Sequence, residues 1–218
     1  MRSITASCIC NVDPVAGMNR DNLLFAGQLL PARNGGLAGT PGTRAQAPFA
    51  AAVFRGYGPE NDAAAAAHRA ASALLETGAA LTAGSTLGEL LFPLCAGTQT
   101  ESGDPAGCSA AAAFLSEEGL SLASCGVCRA YLLRDRSLFL LTPAAGPEAP
   151  PYTISGVPAP GDRLLLCTGT LAETLSAQQL LELCAGAKSD GEALQQLLQK
   201  ARDQGAKDSV TAVLLRFA

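Results

Sequence analysis

Two apolar patterns alternate along this chain, and together they set out its fold. Short runs rich in β-branched or uninterrupted apolar residues read as strands. They cover residues 4–12, a second strand beginning at 23–26, then 49–54, 108–115, 120–125, 129–133, 138–142, 163–167 and 210–217. The run Arg163-Leu164-Leu165-Leu166-Cys167 is apolar on both faces, the mark of a strand buried on both sides. Helical spacing takes over elsewhere. An alanine-rich segment starting at Asn61 or Asp62 and running to Glu76 predicts one helix, residues 87–95 a second. Ser176 with Gln179 and Ser189 with Glu192 have the spacing of reciprocal capping boxes and predict two more. The last of these puts Leu194, Leu197, Leu198 and Ala201 on one face and stops at Gly205.

Residues 31–46, glycine-rich and carrying Arg33 and Arg44, read as a loop, as does 97–107. The proline-rich stretch 143–161 reads as a connector. The order is strands, two helices, a strand meander, two helices and a strand. It predicts two sheets packed on each other with a helix pair outside each. No composition break or repeat divides the chain, so one domain over residues 1–218 is expected.

Composition narrows the function. Of 218 residues, 48% are hydrophobic and 16% charged, which is a globular balance, and the net charge of −4 argues against nucleic acid as the main partner. No run is long and apolar enough for a membrane span or a signal-peptide core, so a cytoplasmic location is expected. Eight cysteines in such a setting read as reduced, buried side chains. The spacings Cys8/Cys10 and Cys125/Cys128 would suit zinc if the pairs met, but Cys8 and Cys10 share a strand face without any metal. The single histidine, His68, falls on the alanine-rich helix and reads as a helix-face residue, leaving Ser-His and Cys-His chemistry with one poor base.

The junction at residues 51–60 stands out. An apolar strand ends at Arg55, a turn with Gly56 and Gly58 follows, and a long helix begins: a place where folds present ligand sites. Around it, five blocks occur in order. They are Asn19-Arg20-Asp21; Phe54-Arg55-Gly56-Tyr57-Gly58; Gly126-Val127-Cys128-Arg129-Ala130-Tyr131; Gly161-Asp162-Arg163-Leu164-Leu165-Leu166-Cys167-Thr168-Gly169-Thr170; and Lys207-Asp208-Ser209-Val210. Together they resemble the metal-dependent protein serine/threonine phosphatases of the 2C type (PPM-like) over nearly the whole chain. The resemblance implies an α+β fold, a four-layer α-β-β-α sandwich of two antiparallel sheets flanked by helix pairs. It also implies a site at one end of the sheets, where carboxylates hold Mg²⁺ or Mn²⁺ that activate water and neutralise phosphoryl oxygens.

Carried over residue by residue, that site is altered. Arg20 stands where the family has a glutamate, and Asp21 is kept. Arg55 replaces the metal-bridging aspartate, while Gly56 remains. Glu60 stands at a histidine position, and Ala16 at a phosphate-binding arginine. Val127 and Gly169 each replace an acid, and Asp208 keeps its carboxylate. The 143–161 segment is shorter than the family's flap-bearing one, and the 31–46 loop is longer. Two carboxylates beside two guanidiniums are a poor site for a hard cation, since each nearby guanidinium adds about a kilocalorie per mole or more of repulsion.

The expectation is therefore a catalytically impaired pseudophosphatase acting in phosphoprotein binding, regulation or scaffolding, with no cofactor. Arg20 or Arg55 would pair with Asp21 or Asp208, or bind phosphate; the partner would be a phosphoprotein or a serine/threonine kinase. The alternative is an active Mn/Mg-dependent phosphatase with a divergent site, its metal held by Asp21 and Asp208.

Overall fold

The computed structural model describes residues 3–11, 18–31, 42–78, 87–100, 103–143, 145–146 and 149–218. Its strands are β1 (Ser3–Asn11), β2 (Asp21–Phe25), β3 (Gln28–Leu29), β4 (Thr43–Gln46), β5 (Phe49–Tyr57), β6 (Thr98–Gln99), β7 (Pro105–Leu115), β8 (Leu120–Cys125), β9 (Arg129–Arg134), β10 (Ser137–Leu140), β11 (Tyr152–Gly156), β12 (Arg163–Cys167) and β13 (Val210–Phe217). The helices are α1 (Glu60–Gly78), α2 (Leu87–Cys95), α3 (Gly169–Thr174), α4 (Ala177–Gly186) and α5 (Asp190–Asp203).

One sheet runs β10-β9-β12-β13-β1-β4 and the other β11-β8-β7-β5-β2-β3, with β6 beside β7. Every pairing is antiparallel. Period-two alternation sends one face of each central strand inward and the other toward a helix layer. Ile4, Ala6 and Cys8 of β1 meet Val53 of β5 and Ala113 of β7 in the core between the sheets. Ala52 and Phe54 of β5 face out against Ala67, Ala71 and Leu74 of α1 and Leu91 of α2. Leu165 of β12 and Leu214 of β13 face α4 and α5 through Leu180, Leu194 and Leu197. The four-layer α-β-β-α sandwich follows directly, because both faces of both sheets are apolar and each must be covered.

Several boundaries differ from the sequence reading. Instead of ending at Arg55, β5 continues through Gly56 and Tyr57, because its pairing with β7 extends to Gly107. The helix after it begins at Glu60, ahead of Asn61 and Asp62. The loop at 31–46 contains β4, which pairs with β1 through Arg44 and Ala45; Arg33 lies outside the described residues. The connector at 143–161 contains β11, an edge strand on β8, and the 97–107 connector contains β6. Both segments form strands by pairing with an available neighbour, a cue that apolar periodicity does not supply.

A further helix, α3, follows Thr168 on the outer side of the sheet that contains β12 and β13, where the apolar pattern predicts none. The Ser176 capping box is complete in both directions. At α5 it is half formed: Ser189 accepts from the Glu192 amide, but the Glu192 carboxylate turns to the Lys188 amide at 2.8 Å.

Gly56 fixes how α1 sits on its sheet. A Cβ there would lie 2.0 Å from the Ala63 carbonyl oxygen, so the helix backbone occupies the space of a side chain. Gly56→Ala is expected to destabilise the fold by about 1–3 kcal/mol through overpacking of the new methyl against the α1 backbone, measured by urea denaturation.

Candidate functional site

The site is assembled at one end of the sandwich, where β2 and β5 of one sheet meet the starts of β13 and α3. Asp21 and Arg55 are direct cross-strand partners, and the Gly56 amide donates to the Arg20 carbonyl at 2.8 Å. Register thus places the Arg20, Asp21 and Arg55 side chains together from positions 34 residues apart in sequence (55 − 21). Asp208 reaches them from the turn before β13. Arg202 of α5 fixes that turn by donating to the Ala206 and Asp208 carbonyls, each at 2.8 Å, while Ser209 N donates to Asp208 Oδ1 at 3.0 Å.

Both arginines converge on this one carboxylate. Arg20 donates to Asp208 Oδ1 at 2.8 Å, and Arg55 donates to Asp208 Oδ2 and to Thr170 Oγ1. Of the two acids expected to hold the arginines, Asp208 takes both. Their side chains are 21–28% exposed, so the cluster opens to solvent at its outer edge. Burial by itself would raise the Asp208 carboxyl, but the Arg55 charge and the Arg20 hydrogen bond and charge outweigh it and hold the group below the usual carboxylate range.

Asp21 lies beneath this layer and is buried. Its Oδ2 accepts from Thr211 Oγ1 at 2.8 Å and Thr168 Oγ1 at 3.1 Å, whereas Oδ1 has no hydrogen-bond partner among the described residues. Burial pushes its carboxyl up to about 7, against the opposing influence of the Arg55 charge and the two threonine hydroxyls. Asn19 Oδ1 accepts the Asp21 amide at 2.9 Å and its Nδ2 donates to Cys10 Sγ at 3.0 Å. Burial, then the Asp21 charge, pushes the Cys10 thiol up to about 12, so it stays protonated.

The remaining sequence-singled positions play backbone or packing parts. Val127 fills the space beside Gly169, where a Cβ would lie 2.8 Å from the valine Cγ2. Glu60 is exposed at the start of α1. Ala16 lies outside the described residues. His68 Nδ1 sits 3.3 Å from Asn22 Nδ2, away from the arginine pair. Cys8, Cys10 and Cys128 face the central core, and Cys125 faces the α1–α2 layer, so the two cysteine pairs do not converge. Thr168, Thr170 and Thr211 fall in or beside the blocks given above with no role read from them, and Arg202 belongs to none of the blocks. Their signal was weak, because a lone threonine or a helix-terminal arginine carries no pattern of its own.

A divalent ion does not fit these donors. Asp208 has both oxygens engaged by guanidiniums, Arg55 stands directly across the sheet from Asp21, and the two threonines hold one Asp21 oxygen. A hard cation seeks several anionic oxygens, and here cations already hold the exposed one.

No family model and no curated protein matches the sequence. Solved structures do match the fold. The catalytic domain of serine/threonine protein phosphatase PstP, in complex with two manganese ions, superposes with a TM-score of 0.76 at 17% identity, covering 100% of both chains. The Mycobacterium tuberculosis phosphatase PstP/Ppp gives 0.73 at 18% identity over 98% of each chain. The Mycobacterium smegmatis PPM phosphatase MsPP, in complex with cacodylate, gives 0.72 at 19% identity over 97% of each. The fold is that of the PPM, or 2C-type, serine/threonine phosphatases.

Proposed function

We propose that this protein is a phosphatase-fold binding protein, a pseudophosphatase that recognises phosphorylated serine or threonine segments of a partner protein and holds them without hydrolysis. The observation carrying this reading is the pair of guanidiniums, Arg20 and Arg55, gathered on the single carboxylate of Asp208 at an open edge. Two positive charges face one negative one, and Asp21 beneath adds less than a full negative charge near neutrality because burial pushes its carboxyl up to about 7. The surplus favours an anion. Guanidiniums match phosphate in two-point hydrogen bonding, and a phosphate group is able to displace the aspartate by offering more oxygens and more charge.

The same features oppose metal-assisted hydrolysis, because the groups that would need to gather a cation are occupied by cations. The binding role fits partners such as a phosphoprotein or the serine/threonine kinase that makes it, with regulation or scaffolding as the outcome. The expected site residues are Arg20 and Arg55 for phosphate, with Asp208 as the internal counter-ion.

The test has two arms. With Mn²⁺ or Mg²⁺ present, turnover of p-nitrophenyl phosphate and of a phosphothreonine peptide is expected to stay at background. Turnover abolished by Asp208→Ala would establish instead an active phosphatase with a divergent site. In the second arm, fluorescence anisotropy follows a labelled phosphopeptide. Binding is expected for the phosphorylated form alone, weakened about 10- to 100-fold in Arg55→Ala through loss of a charge-assisted contact. Equal binding of the unphosphorylated peptide would remove the phosphate reading.

A further inference from the structure

Of the eight cysteines, three lie in the central core, two in the α4–α5 layer and three in the α1–α2 layer, outside the site described above. Cys108 of β7 and Cys125 of β8 lie on the outward face of adjacent strands. Cys125 is the register partner of Ala110, two residues along from Cys108, so the two thiols are diagonal neighbours. Cys95, the last residue of α2, closes over them from the helix layer, and Cys108 Sγ lies 3.9 Å from the carbonyl of neighbouring Leu94. Cys95, Cys108 and Cys125 share one buried cluster between α2 and the sheet. All three are free thiols and buried.

We propose that Cys95, Cys108 and Cys125 form a thiol redox site, in which a hydroperoxide oxidises one sulfur and a neighbouring sulfur closes a disulfide that ties α2 to its sheet. The chemistry balances with the peroxide as the only oxidant. The sulfur of Cys125 attacks the peroxide, the S–O bond forms as the O–O bond breaks, and the thiol proton leaves with the displaced oxygen as water. Cys95 then attacks the sulfenic sulfur, an S–S bond forms, and the hydroxyl leaves with the Cys95 proton as a second water. Two thiols and one hydrogen peroxide give one disulfide and two waters.

The assignment of roles follows the contacts. The hydrogen bond from Cys95 lowers Cys125 against the opposing effect of burial, whereas Cys95 is raised by its contacts with Cys108 and Cys125 and by burial. Cys125 is thus the sulfur better able to become the thiolate, and Cys95 the one that resolves it.

Access comes from α2 itself. It is nine residues long with Pro93 inside it, and a proline has no N–H for the carbonyl four residues back at Glu89. A short helix with a missing rung opens at lower cost than the sheets it covers, and its opening uncovers Cys95 and the two strand thiols together. Cys8 and Cys10 also share a face, but they are two apart on one strand with side chains directed in parallel, a poor geometry for bridging.

The test treats the folded, full-length protein with hydrogen peroxide, alkylates the remaining thiols, and maps the unreduced peptides by mass spectrometry. A disulfide joining Cys95 to Cys125 or to Cys108 is expected to accumulate about tenfold faster than oxidation at Cys8, Cys10, Cys128, Cys167 or Cys184. In Cys95→Ser the disulfide is expected to be lost and a sulfenic acid at Cys125 to become trappable by dimedone. Even oxidation over all eight cysteines, or full alkylation of the three after denaturation, would overturn the proposal. So would a Cys108–Cys125 disulfide forming at the wild-type rate in Cys95→Ser, because Cys95 would then not be the resolving thiol. Should that variant fold poorly by circular dichroism, the wild-type peptide map alone decides.

Discussion

Asp21→Asn is expected to flatten the pH dependence of this protein's stability between about pH 4 and pH 7, the range over which the wild type should weaken. The sign follows from the direction of the shift. Burial raises the folded-state carboxyl from 3.8 to about 7, so the native state holds this proton more tightly than the unfolded chain does. Stability is then greatest while Asp21 is protonated and falls as pH rises through this window. A shift of this size corresponds to roughly 4 kcal/mol across the window, an upper figure because a buried site relaxes around its charge.

Asparagine copies the neutral form. Its oxygen is able to accept from Thr168 and Thr211 as Oδ2 does, and it leaves no charge to bury beside the unpartnered Oδ1 position. Urea denaturation at a series of pH values measures the effect. A wild-type profile that rises from pH 5 to pH 8 and is unchanged in the variant would contradict it.

Asp208 works in the opposite direction, since its carboxyl is held below its usual range. Its contribution is present above the unfolded-state value near 3.8 and is lost only as pH falls below that, so the two acids act in separate windows.

The second large effect concerns Asp208 itself. Asp208→Ala removes the one anion that Arg20 and Arg55 share and leaves two guanidiniums facing each other at the end of the sandwich. A loss of about 1–3 kcal/mol is expected, below the value for a fully buried pair because all three side chains keep partial access to water. The same variant should gain affinity for anions. Added orthophosphate or sulfate is expected to raise its melting temperature by several degrees more than that of the wild type, by binding the native state alone. Equal shifts in the two proteins would show that the arginine pair is not an anion site.

The elements most faithfully legible in the sequence are those whose own residues enforce them. Arg163–Cys167, Val210–Phe217, Leu120–Cys125 and Leu87–Cys95 appear with the boundaries expected from their apolar runs. The Ser176 box appears with both of its hydrogen bonds, because capping is settled within four residues. By contrast, β4 and β11 are exposed edge strands whose partners, β1 and β8, lie far away in the chain, and their own patterns are polar. The extension of β5 through Gly56 is likewise owed to β7 and to the backbone of α1.

At the site the same division holds. The sequence by itself determined that arginines stand at positions 20 and 55, that carboxylates remain at 21 and 208, and that two apolar-faced sheets need covering on both sides. Those are matters of residue type and local periodicity, and a single chain displays them. Only the tertiary structure decided which acid the arginines hold. Asp208 is held at the open edge by Arg202, whereas Asp21, directly across from Arg55 in the sheet, turns inward to two threonines. The choice rests on burial: the exposed carboxylate stays ionised and accepts both guanidiniums, and the buried one is driven toward its neutral form.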